Sequence, residues 1–146
     1  QAMSLLSGHC LCGAVTVSFE PLKDALGACH CEMCRRWTGS AFLEIDAKPG
    51  SLTYDGPVKS YASSDWAERA WCDSCGSTLW YHLTLPGHDY YSLSAGLVEN
   101  AGGLPLKTEI YIDVKPDGYA FAGDHEIKTK AEVEAGFAAF VEGTKP

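Results

Sequence analysis

Seven cysteines, at positions 10, 12, 29, 31, 34, 72 and 75, are the residues of this 146-residue chain whose types and spacing point most directly to chemistry. They fall into Cys-x-Cys, Cys-x-Cys-x-x-Cys and Cys-x-x-Cys groups. A disulfide scaffold is disfavoured. The count is odd, no signal peptide precedes Cys10, the chain is not a mini-protein, and a near-extended Cys-x-Cys offers poor Cα separation and Cβ orientation for a bridge. Both sulfurs of such a pair can instead face one metal ion from a tight turn. Paired cysteines in a reducing compartment more often mean metal or redox chemistry than structural bridges.

Cys72-Asp-Ser-Cys75-Gly76 has the spacing of a zinc knuckle. A knuckle brings two thiolates, structural zinc takes four, and Cys10 with Cys12 can supply the other two. Such a closed site leaves no open position, so its role is folding. It ties together residues about 60 positions apart, a large loop. The competing reading, a thioredoxin-like redox pair at Cys72 and Cys75, lacks the βαβ context that motif expects. Cys29-His30-Cys31-Glu32-Met33-Cys34 is different, with three thiolates inside six residues and Arg35-Arg36 directly after. Zinc held by three sulfurs keeps one position for water or substrate, and an incoming thiol there is favoured as its thiolate, the nucleophilic form. Cys29, Cys31 and Cys34 are therefore the candidate catalytic residues. Arg35 and Arg36 are candidates to hold a substrate carboxylate, against the alternative of solvated surface charge. His30 could close the open position as a fourth ligand, or its ring could point away; His9 is equally ambiguous. A lone histidine is more often packed or solvated than ligating, and neither is taken as a ligand.

These residues must be positioned by a small globular fold. A mass of 15.7 kDa sets one domain as the expectation, 4–146, with Gln1-Ala2-Met3 read as a remnant and start methionine. A net charge of −8 disfavours nonspecific nucleic-acid or anionic-lipid binding. No apolar run approaches a membrane helix, and without a targeting segment the expected location is cytoplasmic. Strand alternation runs over 14–20, with Val15, Val17 and Phe19 on one face, and again over 41–46. Asp55-Gly56-Pro57 suggests a hairpin between 52–54 and 58–61. Strands are predicted at 66–71 and 77–83 around the Cys72–Cys75 turn, and at 90–95, 109–114 and 118–121. Only the tail reads as helix: Thr129 and Glu132 form a capping box, Val133, Phe137, Phe140 and Val141 share a face, and Gly143 terminates. The fold class is mainly β with a C-terminal helix.

Gly8-His9-Cys10-Leu11-Cys12-Gly13-Ala14, Cys29-His30-Cys31-x-x-Cys34-Arg35, Gly39-Ser40-Ala41-Phe42 and Arg69-x-Trp71-Cys72-x-x-Cys75-Gly76-Ser77 occur in that order. Together they resemble the glutathione-dependent formaldehyde-activating enzyme family, strongly from Gly8 to Leu79 and weakly to Phe121. Trp71 stands where the family more often has Phe. The resemblance implies a β-tent of short antiparallel sheets stapled by structural zinc on Cys10, Cys12, Cys72 and Cys75. It implies a second, labile or catalytic zinc on Cys29, Cys31 and Cys34. The implied activity is condensation of formaldehyde with glutathione to S-(hydroxymethyl)glutathione, a carbon–sulfur lyase reaction. The partners are then a small thiol such as glutathione and a small aldehyde. Two other classes compete. A non-catalytic, chaperone-like binding module would use the second cluster as structure or zinc store. A methionine sulfoxide reductase of similar fold needs a lone catalytic cysteine, and no cysteine follows Cys75.

Overall fold

The computed structural model describes residues 4–143; the expected remnant at 1–3 lies outside them. Among the described residues are eleven strands, two α-helices and three short 3-10 turns. They divide into two compact units, each assembled from two separate stretches: one from the segment up to Leu26 with Leu43–Pro105, the other from Gly27–Phe42 with the segment from Leu106 onward.

The first unit contains a three-stranded antiparallel sheet in the order β1 (Leu6–His9), β2 (Thr16–Phe19), β5 (Thr53–Asp55). It also contains the run β4 (Phe42–Asp46), β9 (Tyr90–Ser94), β8 (Thr78–Leu83), β7 (Ala67–Cys72), β6 (Val58–Ser64). Alternation around β2 does what period two requires: Val15, Val17 and Phe19 are buried, while Thr16 and Ser18 face the other way. Ile45 pairs with Leu93 and Leu93 with Trp80, and these join Leu79, Ala70 and Val98 in one apolar core. Cys10 and Cys72 belong to that same core. Gly8 approaches the Leu97–Val98 backbone so closely that a Cβ would sit 2.0 Å from the Leu97 carbonyl oxygen. Only the absence of a side chain permits that contact.

The expected hairpin around Asp55-Gly56-Pro57 is not formed. β5 pairs with β2 and β6 pairs with β7, so the chain changes partners at Gly56. Gly56 has φ 109° and a Cβ there would lie 2.0 Å from the Ala14 carbonyl oxygen, which makes it a close-approach residue.

The second unit has β10 (Leu106–Ile110) between β3 (Leu26–Cys29) and β11 (Glu126–Lys128), with α1 (Glu32–Thr38) and α2 (Lys130–Gly143). The β10–β11 pair is parallel, an exception to the expected antiparallel sheets. The strand predicted over 109–114 instead ends at Ile110, because Tyr111 is left-handed (φ 59°) and a 3-10 turn follows at Ile112–Val114. Residues 118–121 form no strand; β11 lies further on. The capping box of α2 is present and reciprocal. The Thr129 N–H donates to Glu132 Oε1 at 2.9 Å, and the Glu132 N–H to Thr129 Oγ1 at 3.2 Å. Val133, Phe137 and Val141 are half-buried, whereas Phe140 is exposed. No described helix is long and apolar enough to cross a membrane.

Candidate metal centres

Cys10 and Cys12 follow β1 in a tight turn closed by Gly13 (φ 80°), whose N–H donates to the Cys10 carbonyl at 3.1 Å. Cys72 ends β7, and the knuckle closes through the Gly76 N–H on the Cys72 carbonyl at 2.8 Å, with Gly76 at φ 78°. The four sulfurs lie within 4.8 Å of one another. A tetrahedral Zn–S distance of about 2.3 Å requires sulfur–sulfur edges of about 3.8 Å. Cys10 and Cys12 are 3.7 Å apart and Cys12 and Cys72 are 3.9 Å apart, so this donor set fits the ion. Val15 and Ala14 direct their N–H groups at the sulfurs of Cys10 and Cys12, 3.3 and 3.4 Å away, as thiolate acceptors need. Ser77 Oγ accepts the Leu11 N–H at 3.0 Å and lies 3.2 Å from Cys75 Sγ, so one hydroxyl joins the two turns.

Without a cation the four thiols divide their protons unequally. The Ser77 hydroxyl, then the Ser77 and Cys12 backbone, lower Cys75 to about 5. The Ala14 N–H lowers Cys12, but burial and the sulfurs of Cys75, Cys10 and Cys72 outweigh it and raise that thiol to about 11. Four thiolates at this spacing need a positive charge among them.

The second centre is built on one turn. Cys29 ends β3, Cys31 is the N-cap of α1, and Cys34 lies in the first turn. The Cys31 sulfur takes the capping role of a side-chain oxygen, accepting the Cys34 N–H at 3.3 Å. All three sulfurs fall within 4.8 Å of one another. Hydrogen bonds to Cys31 and Cys34, reinforced by burial, push the Cys29 thiol far up, so this cluster also needs a cation to become fully ionised. Three donors fit a metal that retains a fourth position.

His30 is not grouped with those sulfurs. It is fully buried, with Nε2 2.8 Å from Glu109 Oε1 and Nδ1 3.0 Å from the Tyr119 hydroxyl. His9 is exposed and its Nδ1 donates to the Cys10 carbonyl at 2.8 Å. Arg35 turns its Nε–H onto the His30 carbonyl at 2.9 Å. Arg36 is exposed and forms an i,i+4 ion pair with Glu32 at 3.2 Å. Trp37 packs against buried Phe42, ring centroids 4.9 Å apart.

Four residues here were not singled out by sequence reasoning: Glu109, Tyr111, Tyr119 and His125. Tyr111 is half-buried, and burial, then Glu134, then the charges of Cys31, Cys29 and Cys34 push its hydroxyl up to about 12. The nearest thing to a sequence signal is a lone acid, Glu109, inside a strand of otherwise ordinary composition.

Comparison with known proteins agrees with the cysteine pattern. Residues 5–114 match the glutathione-dependent formaldehyde-activating enzyme family. An uncharacterized lyase of Schizosaccharomyces pombe is 37% identical over 128 residues, 86% of this chain and 92% of that protein. The crystal structure of a Rhodobacter sphaeroides protein superposes with a TM-score of 0.54 at 21% identity, covering 70% of this chain and all of the other, a likeness of fold. The chain belongs to the glutathione-dependent formaldehyde-activating enzyme family.

Proposed function

We propose that the chain is a zinc-dependent enzyme of carbon–sulfur lyase type that joins a small thiol, such as glutathione, to formaldehyde or another small aldehyde. The observation that carries this reading is the contrast between the two sulfur sets. Cys10, Cys12, Cys72 and Cys75 bring four sulfur donors together, a full set for a structural site, while Cys29, Cys31 and Cys34 supply only three. Zinc on those three would supply an open position that takes the incoming thiol as its thiolate. The family match and the name of the Schizosaccharomyces pombe relative support a lyase.

In the addition the sulfur lone pair forms the C–S bond. The π pair of the carbonyl moves to oxygen, and the proton released by the thiol ends there, giving a hydroxymethyl thioether. Arg35 and Arg36, beside the three-cysteine turn, are assigned to a substrate carboxylate; displacing the exposed Arg36–Glu32 pair costs little. An acidic chain acting on small molecules needs neither nucleic acid nor membrane, and the proposed location is the cytoplasm.

The test is the exchange rate of ¹³C-formaldehyde with glutathione, read by NMR magnetisation transfer with and without protein. Acceleration by the wild type that is lost in Cys31→Ser supports the reading. Equal rates with and without protein overturn it in favour of a non-catalytic binding module.

A further inference from the structure

Beneath the three-cysteine turn lies a buried polar chain that plays no part in the chemistry above. Its centre is Glu109 on β10, reached from both neighbouring strands. His30, one residue past β3, places Nε2 2.8 Å from Oε1; His125, one residue before β11, places Nδ1 2.6 Å from Oε2. The side chains of His30, Glu109 and His125 are 0%, 6% and 5% exposed. The other nitrogen of His125 donates to the Ala122 carbonyl at 2.9 Å, and the Tyr119 hydroxyl lies 3.0 Å from His30 Nδ1. The rings of Tyr119 and Phe121 each lie 5.8 Å from the His30 ring. The donors and acceptors close without remainder. Glu109 turns one oxygen to each imidazole, the Tyr119 hydroxyl meets the other nitrogen of His30, and His125 Nε2 donates to the Ala122 carbonyl.

The backbone of His30 is held as firmly as its ring. Its N–H donates to the Ile110 carbonyl at 3.1 Å, and its carbonyl accepts the Arg35 Nε–H at 2.9 Å. Cys29 ends a strand and Cys31 is extended (φ −64°, ψ 158°), so successive side chains alternate in direction along this segment. A His30 ring locked to one side sends Cys29 and Cys31 to the other. Cys34 then joins them through its N–H on the Cys31 sulfur.

We propose that Tyr119, His30, Glu109 and His125 are positioning residues: a buried brace that fixes the direction of the Cys29 and Cys31 thiolates and so sets the metal affinity and geometry of the three-cysteine centre, although none of the four is a ligand. Outer partners of this kind are worth roughly 10- to 100-fold in metal affinity. The inference rests on the reading of Cys29, Cys31 and Cys34 as a metal centre.

The variants separate bracing from mere charge. Glu109→Ala removes the link and leaves two buried imidazoles without their acceptor. Glu109→Gln keeps every bond: its oxygen accepts from His30, its amide donates to His125 Nδ1, and His125 still donates to Ala122. Full-length protein would be titrated with Zn²⁺ against a chelator and with Co²⁺, whose absorption reports thiolate geometry. Glu109→Ala and His125→Ala are expected to weaken the three-cysteine centre about 10- to 100-fold and alter its Co²⁺ spectrum. Glu109→Gln should stay within a few-fold of wild type, and the four-cysteine centre should be unchanged throughout. Wild-type affinity and spectrum in both alanine variants overturn the brace, as does a Glu109→Gln protein as impaired as Glu109→Ala. A wild type that takes only one ion sinks the proposed chemistry instead. The brace is then read from amide hydrogen exchange at His30 and Cys34 in His125→Ala: at least tenfold faster exchange supports it, and unchanged exchange refutes it. His125→Ala carries the test if Glu109→Ala fails to fold.

Discussion

Replacing Cys72 by serine should damage folding, whereas replacing Cys34 should not. Cys72 is fully buried in the core of the first unit, and its sulfur stands 3.9 Å from Cys12, 60 residues away in sequence. A structural zinc contributes on the order of 10 to 16 kcal/mol of folding free energy in small domains, so one of four ligands accounts for roughly 3 to 4 kcal/mol. A serine hydroxyl buried without its partner adds about 1 to 3 kcal/mol. The sum, about 4 to 7 kcal/mol, is comparable with the roughly 5 to 15 kcal/mol that holds a typical domain together. Cys34 is also buried, but it belongs to the open three-donor set on the seven-residue helix α1. Urea unfolding followed by far-UV circular dichroism, with zinc counted on the same samples, separates the two. The expected result is a Cys72→Ser protein that unfolds at far lower urea or fails to fold, beside a cooperative Cys34→Ser protein that has lost only one ion. A Cys72→Ser protein within 1 kcal/mol of wild type and with its full zinc content would refute the reasoning.

Three further outcomes are expected. Zinc uptake at pH 7 should release protons from Cys12 and Cys29, whose thiols are raised, and none from Cys75, already ionised above about 5. Affinity therefore rises with pH through neutrality; calorimetry in buffers of different ionisation enthalpy measures the release, and a buffer-independent heat contradicts it. Gly8→Ala drives a Cβ to 2.0 Å from a backbone oxygen that no rotamer change can move, and should cost about 3 kcal/mol in a urea melt. Thr129→Ala removes the reciprocal cap of α2 and should cost about 1 kcal/mol, with faster amide exchange at Glu132 and an unchanged zinc count.

The grouping of the sulfurs into one set of four and one of three was legible because its information is local. Each cysteine group sits on a single turn, and ligand number alone separates a complete donor set from an incomplete one. The alternation over Val15–Phe19, the strand predicted at 77–83 and the box at Thr129–Glu132 were legible for the same reason. α1 escaped notice because it is only seven residues long and is capped by a thiol, Cys31, which is outside the usual capping residues. β1 and β3, Leu-Ser-Gly-His and Leu-Gly-Ala-Cys, carry no β-branched residue to mark them as strands. The hairpin at Gly56 and the strand at 109–114 failed on tertiary grounds. One glycine serves a close approach to Ala14, and one tyrosine takes a left-handed backbone at the end of β10. Glu109 and His125 are 16 residues apart and are joined only by the parallel pairing of β10 with β11, which no short-range pattern announces.

The most direct measurement is the number of zinc ions per chain in wild type and Cys31→Ser, both purified without chelators. The two sulfur sets predict two ions in the wild type and one in the variant, with the variant still folded. One ion in both proteins would contradict an open metal centre at Cys29, Cys31 and Cys34 and leave zinc only in the four-cysteine staple.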